Sequence, residues 1–145
     1  PAEVVKLLAR WEASDGLLLR LTEAEAALKM PAASKHAQMM EDRFDAARLR
    51  GDTTHRAEEA RFRLRLRNDA RGAVRLALDN YRVQREPRDA RILLEAAIAA
   101  GDSAAAQMAR DWLASSGFED IRLRQLGDAS AQVRPAVQSA RDAAK

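Results

Sequence analysis

Cysteine is absent from this sequence. That excludes disulfides, thiolate nucleophiles and cysteine-ligated zinc. It leaves the compartment open, since exported and cytoplasmic chains alike do without cysteine. Long apolar runs are missing too. A membrane-spanning helix needs about 18 consecutive apolar residues, and the most apolar stretch, Ile92–Ala100, is short and carries Glu95. Aromatic side chains make up only 4% of the chain, prolines number four and β-branched residues are scarce. An extended sheet would draw on Val, Ile, Thr and Tyr. The chain opens on Pro1, not Met, so the lack of a visible leader carries no information.

Alanine, leucine and arginine fill the space. Hydrophobic residues are 47% of the chain, mostly Ala and then Leu, and all three types are strong helix formers. At 145 residues the chain suits one domain with a buried core. The net charge is +3, and the only lysines are Lys6, Lys29, Lys35 and Lys145. Abundant Arg with abundant Ala reads as GC-rich coding. The competing reading is a surface for acidic partners.

Turn signals recur at Asp15-Gly16, Met30-Pro31, Gly51-Asp52, Asn68-Asp69, Glu86-Pro87, Gly101-Asp102 and Gly117. Gly or Asn closes a helix in the left-handed region, and the Asp that follows caps the next one. Pro87 suits a first helical turn. Helical periodicity runs between these marks: Val4–Ala13, Leu17–Lys29, Ala32–Arg50, Thr54–Arg67, Ala70–Gln84, Arg88–Ala100 and Ser103–Ser115. A weaker segment, Glu119–Leu126, precedes a tail over Ala131–Ala144 that reads as a capping helix or a frayed end. The run Phe62-Arg63-Leu64-Arg65-Leu66-Arg67 alternates as a strand would, but no second alternating run exists to pair with it. As a helix it has one stripe of Ala57, Ala60 and Leu64 and a second of Phe62 and Leu66. A helix apolar on two sides suits the interior of a stack, with neighbours before and behind.

Internal periodicity is the strongest signal. Asn68-Asp69 and Gly101-Asp102 are 33 residues apart, with Ala57, Ala60 and Leu64 before the first turn and Ala90, Leu93 and Ala97 before the second. Ala73 and Ala106 follow at matching offsets. A helix–turn–helix unit of about 34 residues is the tetratricopeptide period. Gly101-Asp102-Ser103-Ala104-Ala105-Ala106 resembles that family's turn into its second helix. The family's large Trp and Tyr positions are Ala57 and Leu64 here, or Ala90 and Ala97, and its small residue between them is Arg63 or Leu94. The phrases SDGLLLRL (Ser14–Leu21), RFDAARLRGDTTHRAEEARF (Arg43–Phe62), VQREPRDARILLEAA (Val83–Ala97) and DWLASSGFED (Asp111–Asp120) resemble the C-terminal part of an uncharacterised proteobacterial family of tetratricopeptide-repeat proteins. The resemblance implies an all-α right-handed superhelix of stacked hairpins, with repeats upstream and often an export signal. It implies a bacterial protein, periplasmic or cytoplasmic, and points to no particular activity.

The expected organisation is one TPR-like domain over residues 1–145. A half-repeat (4–13) leads into hairpins 17–50, 54–84 and 88–115, and a capping segment covers 119–144. Val4, Leu7, Leu8 and Trp11 share a stripe in the half-repeat. That helix reads as the second of a repeat whose first is missing. Its uncovered surface would invite a dimer contact.

Patterns that carry chemistry are few. His36 and His55 lie on different helices, and there is no H-E-x-x-H, Gly-rich phosphate loop or nucleophile elbow. His36 reads as a surface residue and His55 as a first-turn residue. Adjacent acids such as Glu58-Glu59 point about 100° apart on a helix; they read as partners of Arg61 and Arg63. Trp112 reads as a large filler in an Ala-rich core. No catalytic residue, cofactor or metal ligand is assigned.

Between Arg61 and Arg91 stand ten arginines against Asp69, Asp79, Glu86 and Asp89. This stretch carries the alternative reading, nucleic-acid or other polyanion binding. Against it, Phe62 and Tyr81 fall on apolar stripes, and arginines two apart scatter around a helix. The leading expectation is a non-enzymatic interaction or scaffolding module with no membrane insertion. In the family the first helix of each pair lines the concave face. The resemblance therefore implies an inward set of His55, Glu58, Phe62 and Arg65 in one repeat, with Arg88, Arg91, Glu95 and Ile98 in the next. Arginines there would suit a protein or peptide bearing carboxylates, held in bidentate fashion.

Overall fold

The computed structural model describes residues 1–132. Among these the protein is all-α, with eight helices and no strand. The helices are α1 (Ala2–Leu8), α2 (Asp15–Ala27), α3 (Ala32–Leu49), α4 (Arg56–Leu66), α5 (Ala70–Val83), α6 (Pro87–Ala100), α7 (Ser103–Ser116) and α8 (Ile121–Ser130). The tail helix expected over Ala131–Ala144 falls almost wholly outside the described residues.

Local chemistry sets most of the boundaries. Asp69, Asp102 and Asp120 are N-caps whose carboxylates accept from the N–H of Gly72, Ala105 and Leu123. Each satisfies a donor that the first turn leaves free. Helix α6 opens on a reciprocal cap between Glu86 and Asp89, with Pro87 at its first position. Gly101 and Gly117 close α6 and α7 at φ of 68° and 64°, where a side chain would be strained. Asn68 takes the same region at φ 52°. Gly72 is needed for another reason: a Cβ there would lie 2.0 Å from Oδ2 of Asp69, inside the cap.

Two expected boundaries move. Asp15-Gly16 does not close α1 but begins α2. Helix α1 ends at Leu8, well short of Ala13, and the chain turns through Trp11, whose N–H reaches back to the Leu8 carbonyl. Trp11 is exposed, as are Val4 and Leu7; the residues that pack inward are Val5 and Leu8.

Helices adjacent in sequence pack as neighbours, with α3 and α4 making the least backbone approach. Alternate helices also touch: α2 with α4, α4 with α6, and α6 with α8. Two cores result. The N-terminal one joins Leu18, Leu21, Met40 and Phe44 to Phe62. The C-terminal one is built on small residues, with Ala60, Ala77, Ala97 and Ala106 packed around Leu93 and Leu94. Alanine at these contacts lets helix axes approach closely. Trp112 packs partly buried on the edge of this core.

Helix α4 belongs to both cores, which explains its alternating sequence. Ala60 and Leu64 face the C-terminal core; Phe62 and Leu66 face the N-terminal one. Successive odd positions lie about 200° apart on a helix, so the arginines divide into two rows. Arg63 and Arg67 reach across to Glu41 of α3. Arg61 and Arg65 face the opposite side and hold Glu23 and Glu95.

Candidate functional site

That opposite side is a groove of about 350 Å³. Its walls come from alternate helices: Arg20 of α2, Glu58 and Arg61 of α4, Arg88, Arg91 and Glu95 of α6, and Asp120 at the start of α8. Leu19, Ile92 and Leu123 form an apolar floor. The structure therefore brings Glu58, Arg88, Arg91 and Glu95 together and sets Arg65 beside them through Glu95.

Phe62 and His55 do not join them. Phe62 is fully buried, 5.4 Å from Phe44 between ring centroids, with Arg67 over its face. The groove side of α4 runs through Arg61, one residue earlier, and that step of about 100° turns Phe62 into the core. His55 is the N-cap residue of α4, where its carbonyl accepts from the Glu59 N–H. Glu58 holds no arginine among the described residues. Arg61 instead donates from Nε and one terminal nitrogen to the two oxygens of Glu23, at 2.6 and 2.8 Å. Glu59 does pair with Arg63, at 3.7 Å, and also with Arg48.

Charge in the groove is arranged unevenly. Glu95, nearly buried, accepts from Arg91 at 2.9 Å and Arg65 at 2.8 Å. Burial alone would raise its pKa, but hydrogen bonds from Arg91 and Arg65 outweigh burial and hold it below the usual carboxylate range. Arg61 moves up despite burial because Glu23 stabilises its charge. Arg20 moves down, through burial first and then the nearby Arg61. Its closest carboxylate oxygen among the described residues, on Glu23, is 3.8 Å away and already engaged. Four arginines (Arg20, Arg61, Arg65 and Arg91) thus share two carboxylates.

Sequence reasoning missed a buried polar cluster elsewhere. His36 is not a surface residue. It is 6% exposed, with Nδ1 2.7 Å from Glu25 and Nε2 3.5 Å from Glu12. Glu25 is buried as well, so the pair ties α2 to α3. Asp89, wholly buried, accepts from Asn80 at 2.9 Å and anchors the α5–α6 turn. The Glu86-Pro87-x-Asp89 spacing was a local signal for the cap; nothing local marks His36.

The basic stretch is largely consumed by pairing. Apart from Arg71, Arg75 and Arg85, every arginine from Arg61 to Arg91 holds a carboxylate. Arg85 lies over the Tyr81 ring. Among the described residues no helix is long and apolar enough to cross a membrane. Comparison with protein-family models, curated proteins and solved structures finds no match.

Proposed function

We propose that this chain is a tetratricopeptide-like, right-handed helical repeat that binds a protein or peptide in the α2–α4–α6–α8 groove and catalyses no reaction. One observation carries the reading: every second helix contributes to the same groove, while the helices between them pack behind. That is the arrangement a stack of hairpins needs if one face is to stay free for a partner. The groove joins an apolar floor to arginines at its rim, a surface suited to an extended segment with mixed side chains. Of the carboxylates in its lining, Glu95 is held by Arg91 and Arg65 and Asp120 caps α8. Polyanion binding draws less support, since the arginines of the Arg61–Arg91 stretch mostly neutralise partners within the fold.

The test is selection of a displayed random-peptide library on the 145-residue chain. Peptides should be recovered whose binding is lost with Arg88→Glu combined with Arg91→Glu, while the helical circular dichroism is unchanged. Recovery of peptides indifferent to that double change would place binding elsewhere. Salt-dependent binding of random oligonucleotides by the wild type, lost with Arg71→Glu and Arg75→Glu, would favour the polyanion reading instead.

A further inference from the structure

Helix α1 is lightly held. None of its seven residues is fully buried, and it meets the first core through Val5 and Leu8. A helix that short does not stand alone in water. The turn after it, residues 9–14, is closed by the Trp11 N–H on the Leu8 carbonyl and the Ser14 N–H on the Trp11 carbonyl. Among the described residues, one polar side chain from residues 1–14 pairs with another element. It is Glu12, whose carboxylate lies 3.5 Å from Nε2 of His36 on α3.

The His36 ring thus stands between two carboxylates. Glu25 of α2 is 2.7 Å from Nδ1 and buried with it; Glu12, half-exposed, faces Nε2. From α4, Arg67 reaches the neighbouring carbonyl of Ala37 at 3.5 Å and holds Glu41. Lys35, beside His36 on α3, is exposed, and Glu3 of α1 does not come within 4 Å of the ring. A neutral imidazole has one N–H and can donate to one of the two carboxylates; the imidazolium donates to both. Glu25, shut away from water, keeps the N–H of a neutral ring, because a buried acceptor left unpaired is costly. Glu12 then faces a lone pair.

We propose that His36 is a proton-operated clasp on α1. Protonated, it holds Glu12 and the turn that seats α1 against α2. When the proton leaves to solvent the Glu12 tie is lost, and α1 loosens from the part of the first core that Val5 and Leu8 cover. The Glu25 bond meanwhile keeps α2 on α3. The clasp is closed in acid and opens as pH rises through the range in which histidines titrate, about pH 5 to 8.

NMR on the 145-residue chain tests this at about pH 5.5, above the range of ordinary carboxylates, and at about pH 8. Ring nitrogen shifts report the protons on His36, and amide protection factors report local opening. In the wild type the ring should carry two protons at the lower pH and one, on Nδ1, at the higher. Protection of residues 2–14 should fall between the two by about threefold or more, while that of α5 and α6 stays level. Glu12→Gln should remove this response, since an amide accepts from the imidazolium through its oxygen and donates to the neutral ring through its nitrogen. Circular dichroism will check that this half-exposed position tolerates the change. An equal loss of protection in Glu12→Gln would show that Glu12 is not the clasp and overturn the proposal. So would a His36 ring in one protonation state at both pH values, or wild-type protection of residues 2–14 that does not move.

Discussion

Tyr81 carries a buried side-chain oxygen that finds no hydrogen-bond partner among the described residues. Burial pushes its hydroxyl pKa up to about 12, as expected for a group whose charged form has lost its water. Tyr81→Phe keeps the ring in the core and beneath Arg85 while removing the orphaned oxygen. Stability by urea titration should stay level or rise by up to about 1 kcal/mol; a clear loss would show that the hydroxyl has a partner in solution. Glu95 has the opposite character, since Arg91 and Arg65 stabilise its charge. Its folded pKa is depressed, so its contribution is present above the unfolded value of about 4.3 and is lost as pH falls through the folded value. With both arginines half-exposed, Glu95→Gln should cost about 1 kcal/mol at neutral pH. The gap between the two proteins should then close in acid. A gap constant down to pH 3 would mean that the ion pairs contribute nothing. Glu59 runs the other way: burial raises its folded pKa, and its contribution declines as pH rises through that value.

At the scale of helices, turn chemistry was legible because it is local. Asn68-Asp69 and Gly101-Asp102 announce both a left-handed stop and the cap that follows, and both are found where the residues stand. Asp15-Gly16 carries the same letters yet starts a helix, because the chain before it has already left α1 and the pair has nothing to close. The Val4, Leu7, Leu8, Trp11 stripe had the right spacing, but the chain breaks into turns after Leu8 and leaves Trp11 in solvent. Burial of His36 was illegible for a different reason: Glu25 and Glu12, which satisfy it, belong to other elements. The Phe62 error was one residue of register, which only the path of the neighbouring helices could settle. Lys29 was unannounced altogether; it ends the α2 turn at φ 54°. A side chain in that region costs roughly 1–2 kcal/mol, and glycine returns part of this as lost chain entropy. Lys29→Gly should therefore stabilise by about 1 kcal/mol in urea denaturation, and destabilisation would show that the Lys29 side chain makes a contact that matters.

The molecule as a whole is two cores that share one helix. Between α3 and α4 the backbones approach least of any consecutive pair, and the contact is made by the Phe44–Phe62 ring pair and by arginines on Glu41 and Glu59. Small residues dominate the C-terminal core and let its helices pack closely, whereas α3 is joined to α4 by Met40 and Phe44 against Phe62 together with this arginine–carboxylate seam. Stability should therefore be graded along the chain. Glu41 is the seam's single acceptor for both Arg63 and Arg67, at 2.8 Å each. Glu41→Gln leaves Arg67 short of a carboxylate and Arg63 with Glu59 alone, at 3.7 Å, a cost of about 1–3 kcal/mol. In hydrogen exchange the amides of α2 and α3 should lose protection by about tenfold or more while those of α5 and α6 hold theirs. Equal loss in every helix would mean that the two cores unfold as one. The groove draws a wall from each core, α2 from the first and α6 from the second. Loosening the seam should thus weaken peptide capture even though Glu41 does not line the groove. Unchanged capture alongside faster α2 exchange would mean that the α2 wall is dispensable and that α4, α6 and α8 suffice.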